Sequence, residues 1–303
     1  MLPPDDFNPP IGTAHTLEPG LRRILAPNPS PMTYRGTNTY VLGHRDLAVI
    51  DPGPDDPTHL KAILAAVLPG QRISHILVTH SHLDHSPLAR ALSQATNAPV
   101  LAFGPAGTGR SAAMQSLAAS GLTGGGEGID HGFAPDTLLA DGAEITTADW
   151  SLRTVWTPGH LGNHISFLWN DALFSGDHIM GWASSLVSPP DGDLTQFMTS
   201  CERLRTLPTR VYYPGHGAPV DEPMARLDWL ISHRRSREAA ILNALATGPA
   251  RADQLAHQIY TDTPATLQLA ATRNVLAHLI DLASKNRVTH DHTLAADTVF
   301  TRI

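Results

Sequence analysis

Cysteine is almost absent. Cys201 is the single one in 303 residues, which excludes an internal disulfide and any zinc site built from thiolates. Metal chemistry in this chain would have to run on histidine and carboxylate, and Cys201, within MTSCERL, reads as an ordinary helix residue. Long apolar runs are also missing: nothing approaches the roughly 18 uninterrupted residues of a membrane-spanning helix. The opening MLPPDDFNPP has neither the basic end nor the apolar run of a secretory signal, so a cytoplasmic protein without a membrane partner is expected. Positive charge is scarce. The formal net charge is −7, and the balance from His233 to Ile303 is +2, which leaves −9 on the first 232 residues. Such a surface suits long nucleic acids poorly, although bound metal would offset some of the charge locally. What is plentiful is apolar residue, at 42%, enough for the core of one large domain or two smaller ones.

The first two-thirds alternates strands and helices. YVLGHRDLAVIDPGP reads as two strands turning around Gly43 to Asp46, followed by a helix at PTHLKAILAAVLPG, the strand ISHILVTH, a helix at SPLARALSQAT and the short strand PVLAF. GLTGGGEGID, residues 121–130, carries too much glycine for regular structure and reads as a mobile surface loop. EITTADWSLRTVWTPGH, HISFLWN, DALFSGD and TRVYYPGHG are strand candidates that begin or end beside polar clusters. Near residue 233 the pattern changes to three helical segments, broken at TGP and TDTP, and two short strands around RVTHD and TVFTR. That is the outline of a winged helix, and it divides the chain into a larger part, 1–232, and an accessory part, 233–303.

LVTHSHLDHS, residues 77–86, holds His80, His82, Asp84 and His85 directly after an apolar run. Alternate residues of a strand face one way, so His80 and His82 can address one metal ion, while Asp84 and His85 can aim at a second where the loop turns. Single histidines are usually surface or core residues, but packing gives no reason to assemble these residue types in an exposed loop.

THSHLDHS resembles the signature of the metallo-β-lactamase fold superfamily, which implies a four-layer αββα sandwich, an α/β fold in which two sheets lie between outer helices and the metal site sits at one edge. The resemblance extends to TPGHLGNH with His160, FSGDH with Asp177 and YYPGHG with His216. It implies that His80, His82 and His160 hold one ion, that Asp84, His85 and His216 hold the other, and that Asp177 bridges them. The implied cofactors are two divalent ions, zinc by ligand fit, with manganese or iron as substitutes. Such a pair, about 3.5–4 Å apart, shares a water as hydroxide and polarises a substrate oxygen. Asp84 and Asp177 are then the catalytic carboxylates: Asp84 orients the hydroxide and Asp177 neutralises charge between the ions. Asp51 in VIDPGP either supports a ligand imidazole or caps its own turn.

NPSPMTYRGTNTYVLG, SGDHIMGWASSLVSPPDGDL and the winged-helix segment are together similar to the β-lactamase-like-protein-2 group, over roughly residues 28 to 303. That group contains an endoribonuclease and bacterial hydrolases. The expected function is hydrolysis of a small ester, thioester or lactone, with RNA cleavage as the alternative. A winged-helix nucleic-acid-binding regulator and a mononuclear iron persulfide dioxygenase stand further back, because a binding protein needs no bridging carboxylate and one iron needs no second ligand set. Candidates for touching substrate are Asn38, His164, His178 and Trp182, and the segment with Met180, Trp182 and Leu186 is expected at the substrate entrance. The helix PATLQLAATRNVLAHLIDLASKN has only Arg273 and Lys285 as cations, so duplex DNA is not an expected partner. Packing against the catalytic part, or against a second subunit in a homodimer, is the expected use of the winged helix.

Overall fold

Strands that are apolar on both faces must be covered on both sides, and this requirement organises most of the chain. The computed structural model describes residues 6–123, 128–290, 294, 295 and 297–303. The glycine-rich stretch expected as a mobile loop lies partly outside them.

The first half of the larger domain comprises β1 (His15–Glu18), β2 (Leu21–Leu25), β3 (Asn38–Leu42), β4 (Asp46–Ile50), α1 (Pro57–Ala65), β5 (Arg72–Leu77), α2 (Leu88–Thr96), β6 (Val100–Ala102), α3 (Ala112–Ala119) and β7 (Thr137–Leu138). Its seven strands form one sheet in sequence order. The second half comprises β8 (Glu144–Thr146), β9 (Ser151–Trp156), β10 (Ile165–Trp169), β11 (Ala172–Gly176), α4 (Leu194–Leu204) and β12 (Val211–Pro214). These strands form a second sheet in the order β12-β11-β10-β9-β8. Along β3, Tyr40 and Leu42 face the second sheet and meet Phe167, Phe174 and Tyr213, whereas Val41 faces outward into the layer of α1 and α2 with Ile63, Leu88 and Leu92. On the far side, Leu173 and Tyr212 pack beneath Phe197, Cys201 and Leu204 of α4. Helix, sheet, sheet, helix is the resulting order of layers.

Asp193 caps α4 by accepting from the backbone N–H of Thr195 and Gln196. Cys201 sits fully buried on the inner face of this helix.

α5 (Pro223–Leu245) runs unbroken through residue 233, so the position taken as a domain junction lies inside a helix. Its first half, with Leu227 and Leu230, belongs to the layer of α4. Its second half, with Ile241 and Leu245, enters a separate core with β13 (Ala250–Arg251), α6 (Ala252–Ile259), α7 (Gln268–Ser284), β14 (Val288–His290) and β15 (Val299–Arg302). The three short strands pair as β13-β15-β14, completing the winged helix. Met114 and Leu117 of α3 join that core, and Ala277 of α7 joins the layer of α4, so the two parts are packed together. Leu269, in the first turn of α7, is an exposed apolar residue at 62%. No helix among the described residues is long and apolar enough to cross a membrane.

Candidate functional site

All the chemistry gathers at one edge of the sandwich. β4, β5, β9, β11 and β12 end there, and the loops that follow carry Asp51, the 80–85 cluster, His160, Asp177 and His216. β5 stops at Leu77, so His80 and His82 lie in the loop rather than in an extended strand, and their rings still stand 4.7 Å apart.

Two donor groups result. In the first, His80, His82, His160 and Asp177 bring one ligand atom each within 4.8 Å of the others; in the second, Asp84, His85 and His216 do the same. His82 Nδ1 lies 3.0 Å from His80 Nε2 and 3.1 Å from His160 Nε2, while His85 Nε2 lies 3.4 Å from His216 Nε2. Nitrogens around a tetrahedral zinc, with bonds near 2.0–2.1 Å, stand about 3.3 Å apart, so these separations suit a cation of that size. Asp177 lies between the groups. Its Oδ2 is 3.8 Å from His160 Nε2 and 3.3 Å from His216 Nε2, and its Oδ1 is 3.5 Å from His85 Nε2. Gly215 makes this closeness possible, because a β-carbon there would stand 2.3 Å from Asp177 Oδ1 and 2.7 Å from the His85 ring.

The outward nitrogens are held by acceptors, as metal-binding imidazoles require. His160 Nδ1 donates to the Leu186 carbonyl at 2.7 Å and His216 Nδ1 to the Gly36 carbonyl at 3.1 Å. Asp51 is the hub. Its Oδ2 accepts from His85 Nδ1 at 3.0 Å and from the Thr79 hydroxyl at 2.8 Å, and its Oδ1 accepts from the Thr79 backbone N–H at 2.8 Å. With its proton committed to Asp51, the Thr79 oxygen accepts from His80 Nδ1 at 2.9 Å. Asp51 thus orients two imidazoles, one directly and one through Thr79, rather than capping its own turn.

Burial, followed by the neighbouring imidazoles, holds His80 well below the ordinary histidine range, and burial beside His160 holds His82 at about 3. Burial likewise lowers His160. These rings are neutral and present lone pairs. Burial also opposes charge on His85 and His216, but the carboxylates outweigh it: Asp84 and Asp177 lift His85 well above its usual value, and Asp177 leads in raising His216 to about 10. Asp84 and Asp177 are correspondingly held far below the carboxylate range, against burial, by His85 and His216. A pocket of neutral imidazoles and ionised carboxylates that retains protons to balance itself is one that divalent cations would neutralise, releasing those protons. Asp177 Oδ1, buried and without a hydrogen bond among the described residues, is a further open donor.

A cavity of about 500 Å³ opens onto this edge, reached by His160 and Asp177 and lined by Met180, Trp182 and Leu186, with α5 and α7 forming its far wall. Trp182 therefore faces the cleft, stacked at 5.3 Å on Tyr34. The other three candidates for substrate contact do not. Asn38 is fully buried, and its amide donates to the carbonyls of Pro214 and Gly217, fixing the loop that carries His216. His164 is fully buried, paired with Thr157 at 2.9 Å, and packed so tightly on Gly176 that a β-carbon there would stand 2.6 Å from its ring nitrogen. His178 turns away from the cleft onto Phe197 and Cys201. Strand-end position alone did not separate inward from sideways rings. Thr79, and Thr37, whose hydroxyl reaches Asp84 at 3.2 Å, carried no signal in the sequence because short hydroxyl residues are common beside turns.

Residues 32–216 match the family model described as the metallo-beta-lactamase superfamily, and residues 252–296 match the beta-lactamase associated winged helix domain. The chain is 31% identical over 284 residues to the Beta-lactamase-like protein 2 homolog of Drosophila melanogaster, covering 88% of each protein. It is 29% identical to the atrochrysone carboxyl ACP thioesterase of Aspergillus fumigatus, over 78% of this chain and 68% of that one. A solved metallo-beta-lactamase family protein from Thermus thermophilus superposes with a TM-score of 0.76 at 25% identity, covering 95% of this chain and all of the other.

Proposed function

Because this chain belongs to the metallo-beta-lactamase superfamily and is a hydrolase, we propose that it is a dinuclear enzyme cleaving a small ester, thioester or lactone. The observation that carries the dinuclear part is the Asp177 carboxylate, set between two complete donor groups at the mouth of the cleft. The carbonyl part is supported by the thioesterase among the relatives and by the cleft lining, which includes one guanidinium, that of Arg237, where a nucleic-acid chain would need a row of cations.

His80, His82 and His160 would hold one ion, Asp84, His85 and His216 the other, and Asp177 both; zinc suits the donors, and manganese or iron could replace it. Two such ions would supply Lewis acidity and a water of near-neutral pKa. The rest falls to the chain. Asp84 is the more exposed of the two carboxylates, at 24% of its side chain against 9% for Asp177. The Thr37 hydroxyl occupies Asp84 Oδ2, which leaves Oδ1 to orient the attacking water and take its proton. Asp51, the Leu186 carbonyl and the Gly36 carbonyl keep the ligand imidazoles in one tautomer. Met180, Trp182 and Leu186 exclude bulk water from the scissile bond, which strengthens every polar contact there.

The test is a panel on metal-loaded protein: a thioester, a lactone, a cephalosporin, bis-p-nitrophenyl phosphate and single-stranded RNA. Turnover of the thioester or lactone, abolished by chelator and restored by zinc, is the expected result. Cleavage of RNA with the carbonyl compounds untouched would replace this reading with the endoribonuclease one.

A further inference from the structure

Beyond Trp182, the cleft extends between α5 and the winged helix. Trp229, His233 and Arg237 recur at every fourth position of α5 and line one wall, spanning about 12 Å at 1.5 Å per residue. The near end of this wall is anchored beside the metal site, where Arg226 donates to the carbonyls of Met180 and Ala183, both at 2.7 Å. The far end meets the winged helix at Tyr260, whose ring lies 4.5 Å beneath the Arg237 guanidinium.

The flat surfaces of this cleft are already stacked. Trp182 rests on Tyr34 and Trp229 on His233, the latter at 4.9 Å and 9°. Rigid aromatic faces favour a planar, apolar guest, because little side-chain freedom remains to be lost on binding.

Charge singles out one position. Arg226 and Arg234 are committed to backbone and amide oxygens. Arg237 makes one long hydrogen bond, 3.4 Å to the Ile259 carbonyl, and no carboxylate lies within ion-pair distance of it among the described residues. A half-buried guanidinium without an acidic partner, at the far end of an aromatic cleft, retains donors that a single anionic group would satisfy.

Resting on the carbonyl-hydrolase reading above, we propose that Arg237 is the specificity residue of this cleft, so that the substrate has a planar apolar body with one carboxylate-like anion at the end away from the reacting carbonyl. The winged helix then serves as the substrate's distal wall.

Two uncleavable aryl thioethers, identical except for a distal carboxylate, would be titrated into metal-loaded protein by tryptophan fluorescence, and the matching thioesters assayed for turnover. The carboxylate compound should bind about tenfold tighter than the neutral one, the size of one charge-assisted hydrogen bond. Arg237→Gln should erase that preference and raise KM for the anionic thioester at unchanged kcat, with metal content intact, while Arg237→Lys should keep part of it. Equal binding of the two probes to the parent protein, or equal weakening of both in Arg237→Gln, would overturn the proposal. A carboxylate preference without thioester turnover would sustain the anchor and reject the carbonyl reading. Displacement of the probe by single-stranded RNA with steep salt dependence would reject the single-anion anchor.

Discussion

Replacing Asp51 with asparagine isolates the role of a residue that never touches the cleft. Asparagine keeps the size of the side chain and tolerates the left-handed backbone that Asp51 adopts at φ 50°, so the substitution changes hydrogen-bond polarity and little else. In the native chain both carboxylate oxygens accept: Oδ1 from the Thr79 N–H, and Oδ2 from the Thr79 hydroxyl and His85 Nδ1. An amide can accept at only one of these places. With its NH2 towards Thr79 N, two donors collide; with its NH2 towards His85, the imidazole is driven to the tautomer that protonates Nε2, the nitrogen aimed at the metal group. Losing one buried hydrogen bond to a charged group costs about 1.5–3 kcal/mol. That corresponds to roughly 10- to 100-fold in metal affinity, the range seen for orienting partners. The ion held by His85 should weaken most, and the one held by His80 less, because Asp51 reaches it through Thr79. Stepwise competition against a chromogenic chelator would resolve the two ions, with circular dichroism confirming the fold. If Asp51→Asn released neither ion more readily than the parent, the hydrogen-bond argument for Asp51 would be wrong.

Three other outcomes are expected. Protein purified without chelator should hold close to two divalent ions per chain, and Asp177→Ala should lose metal and lower turnover by orders of magnitude; one iron per chain with oxygen consumption would instead favour the dioxygenase. His59 is buried, donates to Thr39 at 2.8 Å, and is pushed down to about 4 chiefly by burial. Because its folded value lies below the unfolded 6.5, its contribution is complete above pH 6.5 and is lost as pH falls towards 4, by about 3 kcal/mol in all. Denaturant melts of chelated protein across that range should show a loss that is smaller by this amount in His59→Gln, the remaining slope belonging to other depressed imidazoles such as His80, His82 and His160. The full chain should show no salt-sensitive, submicromolar affinity for duplex DNA, because Arg273 is committed to Ser188 and Thr123 and Lys285 to Asp281.

The donor set and the order of layers were already legible along the chain. Four potential ligands crowd into residues 80–85, and the resemblance of THSHLDHS, TPGHLGNH, FSGDH and YYPGHG to the superfamily's motifs joined His160, Asp177 and His216 to them, each following an apolar strand. The same resemblance implied the order of layers, and the burial of β3 and β4 between the second sheet and the outer helices agrees with it. What each neighbouring polar side chain faces was settled only on folding. His164 and His178 sit beside true strand ends, yet the packing of Gly176 and Phe197 turns their rings away from the cleft. Asn38 lies in a segment that looked like substrate-contacting sequence, but its partners are the carbonyls of Pro214 and Gly217, more than 170 positions along the chain. Trp182 was expected at the cleft entrance, but the far wall was hidden: Trp229, Arg237 and Tyr260 share no motif and join that cleft only because α5 crosses from one core to the other. Ligand spacing is a local property that a short motif can carry. The direction of a buried side chain and the wall of a cleft depend on which distant surfaces close-pack, and nothing in the spacing of residues along the chain encodes that.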